Sequence, residues 1–151
     1  GTCEASTRDL EKAEENGSGS ETLLIGAGLY NMCGQTSKSI LRMRELLTLV
    51  PNDPALFYTK MLSTFLFVEG NYDEIIELVG ENINAVDIDP LILVIYSVIN
   101  YKENNKKEAL EYYDRFKKAG FGIEKFKYMF RFNQEAIDSS LKILTQMEKE
   151  L

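Results

Sequence analysis

The 151-residue chain contains no histidine and no tryptophan. Histidine is the commonest general base in enzymes and the commonest ligand of transition metals. Its absence lowers the expectation of acid–base catalysis and of a metal centre. We therefore predict that the protein is not an enzyme, and we expect no catalytic residue, no metal site and no cofactor.

The remaining candidates for an enzymatic function are weak. Carboxylates are scattered through the middle of the chain at Glu77, Glu81, Asp87 and Asp89. The thiol of Cys33 is the other candidate, as a nucleophile, but no histidine is present to activate it. Its predicted place at a helix C-terminus raises the pKa of a thiol rather than lowering it, since the helix dipole is negative there.

Cysteine is scarce, with only Cys3 and Cys33. Two cysteines have neither the number nor the spacing of a disulfide framework or a zinc site. We therefore expect both thiols to be reduced, as is usual for cytosolic proteins, and we predict a cytoplasmic location.

Long apolar runs and clustered basic residues are also missing. The longest apolar stretch covers residues 91–99, whereas a helix needs roughly 20 apolar residues to span a bilayer. The N-terminus has no basic-then-apolar signal pattern. The net charge is −7, and nucleic-acid affinity rests largely on clustered lysine and arginine. We expect neither membrane insertion nor a nucleic-acid partner.

The chain contains a regular spacing of turn residues. The segment VEGNYDEIIEL, residues 68–78, reads as a helix, a break at Gly70 and a second helix that opens with acidic residues. Similar breaks occur at Gly34 and Asn104, 36 residues earlier and 34 residues later. This spacing of 34 to 36 residues is typical of helical repeat arrays.

Since 44% of the residues are hydrophobic, most of the chain should fold.

Apolar periodicity divides each repeat into two helices. We predict helices over residues 22–33 and 37–49, over 56–68 and from 72 onward, and over 91–101 and 106–119. A short helix from residue 122 and a final amphipathic helix over 134–151 then close the array. The sequence therefore predicts an all-α fold of three helical hairpins with a C-terminal closing helical pair.

Residues 1–20 differ in character from the rest. They contain a short polar helix with little apolar surface beyond Leu10 and Ala13, followed by the linker Gly17-Ser18-Gly19-Ser20. We expect either a flexible leader, the remnant of an expression tag that opens with Gly1, or a partner peptide tethered to the folded domain. The folded domain is predicted to be residues 21–151.

The three hairpins resemble the tetratricopeptide repeat over about residues 22–120. Its pattern has small residues in both helices, an aromatic residue late in the first, glycine at the turn and proline at the end. The matching positions are Ala27, Tyr30, Gly34, Ser39, Met43 and Pro51 in the first hairpin, Leu62, Ser63, Leu66, Gly70 and Tyr72 in the second, and Ser97, Ala109, Tyr113 and Phe116 in the third. Ile75 replaces a small residue, Asn104 replaces the turn glycine, and Pro90 comes three residues late.

In this family the first helix of each hairpin lines a concave groove. The resemblance therefore implies a groove formed by Leu24, Gly28, Asn31, Met32, Phe57, Lys60, Thr64, Phe67, Val68, Leu91, Val94, Val98 and Tyr101. Such a groove is mostly apolar with one central lysine, and it suits a partner segment with an apolar face, typically an amphipathic helix. The alternative is that these residues are simply core in a short array. The groove is the favoured interpretation, because the central helix is apolar on more sides than one hairpin can cover.

The resemblance also implies a function. Small acidic chaperones of type III secretion hold needle subunits in a tetratricopeptide groove, and LLIGAGLY at residues 23–30 is similar to the opening helix of needle-subunit chaperones. We predict a protein–protein interaction module, namely a cytosolic chaperone or adaptor of this kind. The alternative is a structural scaffold subunit of a larger assembly, such as a coat or translocation complex.

Overall fold

The computed structural model describes residues 2–17, 19–53 and 56–151, and all regular elements in these ranges are helices. This confirms the predicted all-α class. The predicted tag remnant begins at Gly1 and the predicted linker includes Ser18, both of which lie outside the described residues. The helices are α1 (Thr2–Glu15), α2 (Ser20–Met32), α3 (Thr36–Leu49), α4 (Phe57–Glu69), α5 (Tyr72–Val79), α6 (Pro90–Lys102), α7 (Lys106–Lys118), α8 (Ile123–Met129) and α9 (Gln134–Glu150).

The chain forms two compact units. The first covers residues 1–69 and contains α1 to α4, and the second covers residues 70–151 and contains α5 to α9. The boundary falls at Gly70, one of the predicted turns. The tetratricopeptide arrangement of the whole chain remains a prediction.

The predicted turns have the backbone conformation that ends a helix. Gly34, Gly70 and Asn104 have φ angles of 75°, 77° and 64°. This left-handed region suits glycine, and asparagine tolerates it better than most residues. At the end of α2 the amide of Gln35 donates to the carbonyl of Tyr30 at 2.7 Å, which satisfies one of the orphan carbonyls of the last turn.

In the first unit, α2 and α3 form an antiparallel hairpin, and α3 also packs against α4. The hydroxyl of Ser39 donates to the carbonyl of Ala27 at 2.6 Å, and both residues are fully buried. These small residues let the two helices approach closely. The helix α4 begins where the carboxylate of Asp53 accepts hydrogen bonds from the amides of Tyr58 and Thr59, at 2.8 and 2.7 Å.

In the second unit, α6 is the central helix. It contacts α5, α7 and α9, and seven of its apolar residues are buried, namely Leu91, Ile92, Leu93, Val94, Ile95, Val98 and Ile99. It starts at Pro90 with Asp89 as the N-cap, whose Oδ1 accepts a hydrogen bond from the amide of Leu91 at 2.9 Å. No helix in the described ranges is long and apolar enough to cross a membrane.

Candidate functional site

The clearest candidate site lies in the first unit, where α1 packs against α2 and reaches α3. We call the surface under α1 the α2–α3 face, and it is formed by Gly26, Tyr30, Cys33, Lys38 and Arg42. The helix α1 runs antiparallel to α2, since Cys3 meets Cys33 at one end and Leu10 meets Gly26 farther along. It therefore runs parallel to α3.

Cys3 and Cys33 form a disulfide, with their Cα atoms 5.6 Å apart. The prediction of two reduced thiols is therefore wrong. Cys33 is the C-cap residue of α2 and Cys3 lies in the first turn of α1, so antiparallel packing brings the two together. A separation of 30 residues gives no local signal of this pairing. Cys33 is also not available as a free nucleophile.

Leu10 of α1 packs onto α2 at Gly26. A Cβ atom at Gly26 would lie 3.3 Å from Cδ2 of Leu10, so the missing side chain provides the space in which Leu10 sits. We call this space the Gly26 recess. Leu10 is buried there, with 8% of its surface exposed. Gly28, on the same helix, has open space around it.

Glu14 of α1 forms an ion pair with Arg42 of α3. The Nε and Nη2 atoms of Arg42 donate to the two carboxylate oxygens of Glu14, each at 2.9 Å. The hydroxyl of Tyr30 donates to the same carboxylate at 3.2 Å. The side chains of Arg42 and Glu14 are only 22% and 15% exposed. Arg42 is therefore largely covered by α1.

The surroundings of Glu14 favour its charged form. The hydrogen bond from Arg42 lowers the pKa of Glu14 below its ordinary value, and this outweighs the opposing effect of burial. Burial raises the pKa of Tyr30, and the neighbouring carboxylate of Glu14 raises it further. At neutral pH the site therefore holds an ionised carboxylate between a guanidinium and a neutral phenol.

A second cation lies beside this ion pair. The Nζ atom of Lys38 is 5.2 Å from the centre of the Tyr30 ring and 3.8 Å from Oε1 of Glu11. The guanidinium of Arg42 also lies over the Tyr30 ring, at 4.8 Å. The α2–α3 face thus presents two cations around one aromatic ring, next to an apolar recess.

The contacting side chains of α1 share one helical face. Cys3, Thr7, Leu10 and Glu14 are spaced by four, three and four residues, which places them in a row. The hydroxyl of Thr7 donates to the carbonyl of Cys3 at 2.8 Å, so its buried polar atom is satisfied within α1. The row combines a disulfide-bonded cysteine, a small residue, an apolar residue and a carboxylate.

The groove residues inferred from the family resemblance fall in both units. In the first unit, Asn31 and Phe67 are buried, Leu24, Gly28, Lys60, Thr64 and Val68 are half-buried, and Met32 and Phe57 are exposed. In the second unit, Leu91, Val94 and Val98 are buried and Tyr101 is half-buried. Burial of the apolar members Phe67, Leu91, Val94 and Val98 favours the core interpretation for these positions, and the groove itself stays a prediction.

Two of these residues interact directly. The Nζ atom of Lys60 lies 5.4 Å from the centre of the Phe57 ring. Asn31 instead accepts a hydrogen bond from the hydroxyl of Thr36 at 3.0 Å, which ties the end of α2 to the start of α3. Asn31 is thus engaged within the hairpin.

Sequence reasoning missed the residues that hold α1, namely Cys3, Glu14, Lys38 and Arg42. The i, i+4 spacing of Leu10 and Glu14 was a visible signal, since it places an apolar and an acidic residue on one helical face. Tyr30 was assigned only as the aromatic residue of the repeat pattern.

Among the residues that the structure describes, no cluster of histidine, cysteine, aspartate and glutamate is placed to hold a metal ion. No protein-family model matches the chain, and neither a curated protein nor a solved structure matches it. The geometry of the α2–α3 face is therefore the basis for a functional proposal.

Proposed function

We propose that the protein is a protein–protein interaction module whose α2–α3 face binds an amphipathic helix. The observation that carries this proposal is the docking of α1, which contacts the face through a disulfide, an apolar side chain and an ion pair. The described residues between α1 and α2 include Gly17 and Gly19, and a short, glycine-rich connection keeps a tethered helix at high effective concentration. We infer that α1 is a tethered occupant of a binding surface.

The composition of α1 supports this role. Only two of its 14 residues, Thr7 and Leu10, are buried. A short polar helix of this kind is marginal in isolation, because few contacts offset the cost of ordering its backbone. The α2–α3 hairpin, in contrast, contributes several fully buried apolar side chains, among them Leu23, Met43 and Leu46. A ligand that folds on a preformed surface has these properties.

The family resemblance adds a specific form of this role. In that form the module is a cytoplasmic chaperone or adaptor, as in type III secretion, and it binds a helical protein segment without any bond chemistry. A scaffold subunit would use the same binding step for a permanent contact. The docking of α1 supports helix binding, which both forms share.

Binding of α1 in trans tests the proposal. Residues 17–19 are replaced by a protease site, the protein is reduced and cut, and the released α1 peptide is removed by gel filtration. A fluorescent peptide of residues 2–16 with Cys3→Ser is then titrated back. We expect saturable binding with a gain of helical circular dichroism, since the peptide should fold on the face.

Two peptide variants serve as a matched pair. Leu10→Ala removes the side chain in the Gly26 recess and should weaken binding about tenfold or more. Lys12→Ala changes an exposed residue of the same helix and should bind like the parent. Absence of saturable binding by the parent peptide at millimolar concentration would overturn the proposed function.

A further inference from the structure

The helix α1 is held at both of its ends. Its C-terminal end continues through residues 16–19 into α2, and its N-terminal end is bonded to Cys33 by the disulfide. A helix fixed at both ends cannot leave the surface beneath it. Breaking the disulfide would leave the covalent connection of α1 to α2 through residues 16–19.

Without the disulfide, α1 would be held in place by noncovalent contacts alone. Leu10 in the Gly26 recess and Glu14 at Arg42 are the main ones, and the pair of Lys38 and Glu11 is solvent-exposed. Exposed ion pairs contribute little, and a polar helix of 14 residues is marginal alone. Reduction should therefore convert α1 from a fixed occupant into one that a partner can displace.

The disulfide is placed where a reductant can reach it. Cys3 is exposed and Cys33 is half-buried. A dithiol reductant attacks one sulfur atom through its thiolate and then closes its own disulfide. In the balanced step the dithiol loses two electrons and two protons, the Cys3–Cys33 bond breaks, and each cysteine becomes a thiol.

The charges and the apolar recess of the α2–α3 face indicate what kind of partner it would bind once α1 has left. Arg42 and Lys38 present two cations on a protein whose net charge is −7, and the Gly26 recess beside them accepts an apolar side chain. A helix that fits this face carries an apolar residue, a carboxylate directly after it and a second carboxylate four residues after it. Leu10, Glu11 and Glu14 of α1 show this pattern.

We propose that the Cys3–Cys33 disulfide gates the α2–α3 face, so that reduction frees α1 and opens the face to an acidic amphipathic helix of another protein. This inference rests on the proposed function. It also links the state of the face to redox compartment, since disulfides persist in oxidising environments and are rare and mostly transient in the cytosol.

The test uses the full chain with Leu10→Ala, which weakens the tethered occupant but keeps both cysteines. The probe is the fluorescent peptide of residues 2–16 with Cys3→Ser, which cannot form a mixed disulfide. The chain is titrated after oxidation and after reduction with dithiothreitol, and hydrogen exchange of α1 is followed in both states. We expect at least about tenfold tighter binding and tenfold faster exchange of α1 after reduction.

A second variant distinguishes the effect of breaking the disulfide from any other effect of the reductant. The full chain with Leu10→Ala and Cys3→Ser should bind the peptide equally well with and without dithiothreitol. If the linker-cut protein binds the peptide, either of two results would overturn the proposed gate. One is equal affinity of the oxidised and reduced chains for the peptide, and the other is hydrogen exchange of α1 that reduction leaves unchanged. Loss of binding in both experiments would instead overturn the proposed function. A dimer that forms on reduction would overturn the partner assignment, since the occupant would then be α1 of a second copy.

Discussion

The hydroxyl of Tyr113 in α7 donates a hydrogen bond to Oε1 of Glu148 in α9, at 2.9 Å. Lys117, one turn further along α7, forms an ion pair with the same carboxylate. The hydrogen bond from Lys117 lowers the pKa of Glu148 below its ordinary value, and burial raises the pKa of Tyr113. The carboxylate of Glu148 thus joins two helices of the second unit.

The first prediction concerns the pH dependence of this contact. The pKa of Glu148 is lower in the folded state than in the unfolded state. Its contribution to the free energy of unfolding is therefore fully present above the unfolded-state pKa, and it is lost as the pH falls through the folded-state pKa. Glu148→Gln should lower the free energy of unfolding by about 0.5–1 kcal/mol at pH 7, because the ion pair is partly exposed. Urea denaturation at pH 7 and in strong acid measures this difference, which should shrink in acid. Glu150→Gln, an exposed position on α9, is the control, and a similar loss there would remove the role assigned to Glu148.

The second prediction tests the Gly26 recess. Gly26→Leu fills the space that Leu10 occupies, so the packing of α1 on α2 should loosen and its amides should exchange faster even while the intact disulfide keeps α1 attached. Gly28→Leu on the same helix meets open space and should leave α1 protected, with a gain in stability of up to about 0.8 kcal/mol from helix propensity. Hydrogen exchange followed by mass spectrometry separates the two outcomes. Full protection of α1 in the Gly26 variant would contradict the docking described above.

The third prediction distinguishes core from groove on α4. Phe67 is 3% exposed and Phe57 is 44% exposed. Phe67→Ala should therefore cost about 3–5 kcal/mol of stability, and Phe57→Ala should cost much less, because truncation of a buried aromatic side chain leaves a cavity. Thermal unfolding and calorimetric titration of a bound helix should be compared for both variants. Reduced affinity with unchanged stability for Phe67→Ala would restore its assignment to a partner groove.

The fourth prediction concerns the small residue of α7 in the repeat pattern. Ala109 is fully buried, so Ala109→Leu should overpack the second unit and cost about 1–3 kcal/mol. Ala136 on α9 is exposed, and Ala136→Leu should change stability by less than about 0.5 kcal/mol. Chemical denaturation measures both. Equal stability of the two variants would show that α7 does not pack closely at Ala109.

The helices and their turns were largely predictable because their determinants are local. The left-handed conformations at Gly34, Gly70 and Asn104 follow from residues that permit them, and Asp89 and Pro90 mark the start of α6 from sequence alone. The shortness of α5, which ends at Val79, was not predicted from the apolar pattern. Repeat spacing thus identified the positions of helices better than their lengths.

The candidate site was not predictable in the same way. The bond between Cys3 and Cys33 and the ion pair between Glu14 and Arg42 join residues that lie 30 and 28 positions apart. Their meeting depends on the antiparallel packing of α1 on α2, which no local pattern specifies. Arg42 is a charged residue, and such residues usually face solvent. It becomes part of the candidate site because α1, a polar helix, packs over it.

The order of features along the α2–α3 face also fixes the direction of a helix that carries its apolar residue and its carboxylate in the order found in α1. The cation of Arg42 lies at one end and Cys33 at the other, with the Gly26 recess between them. A helix running the opposite way would place its carboxylate beside Cys33 and leave the guanidinium of Arg42 without an anion. A peptide of residues 2–16 in which Leu10 and Glu14 are exchanged would share the composition, charge and hydrophobicity of α1, yet it would place a carboxylate at the Gly26 recess and an apolar side chain at Arg42.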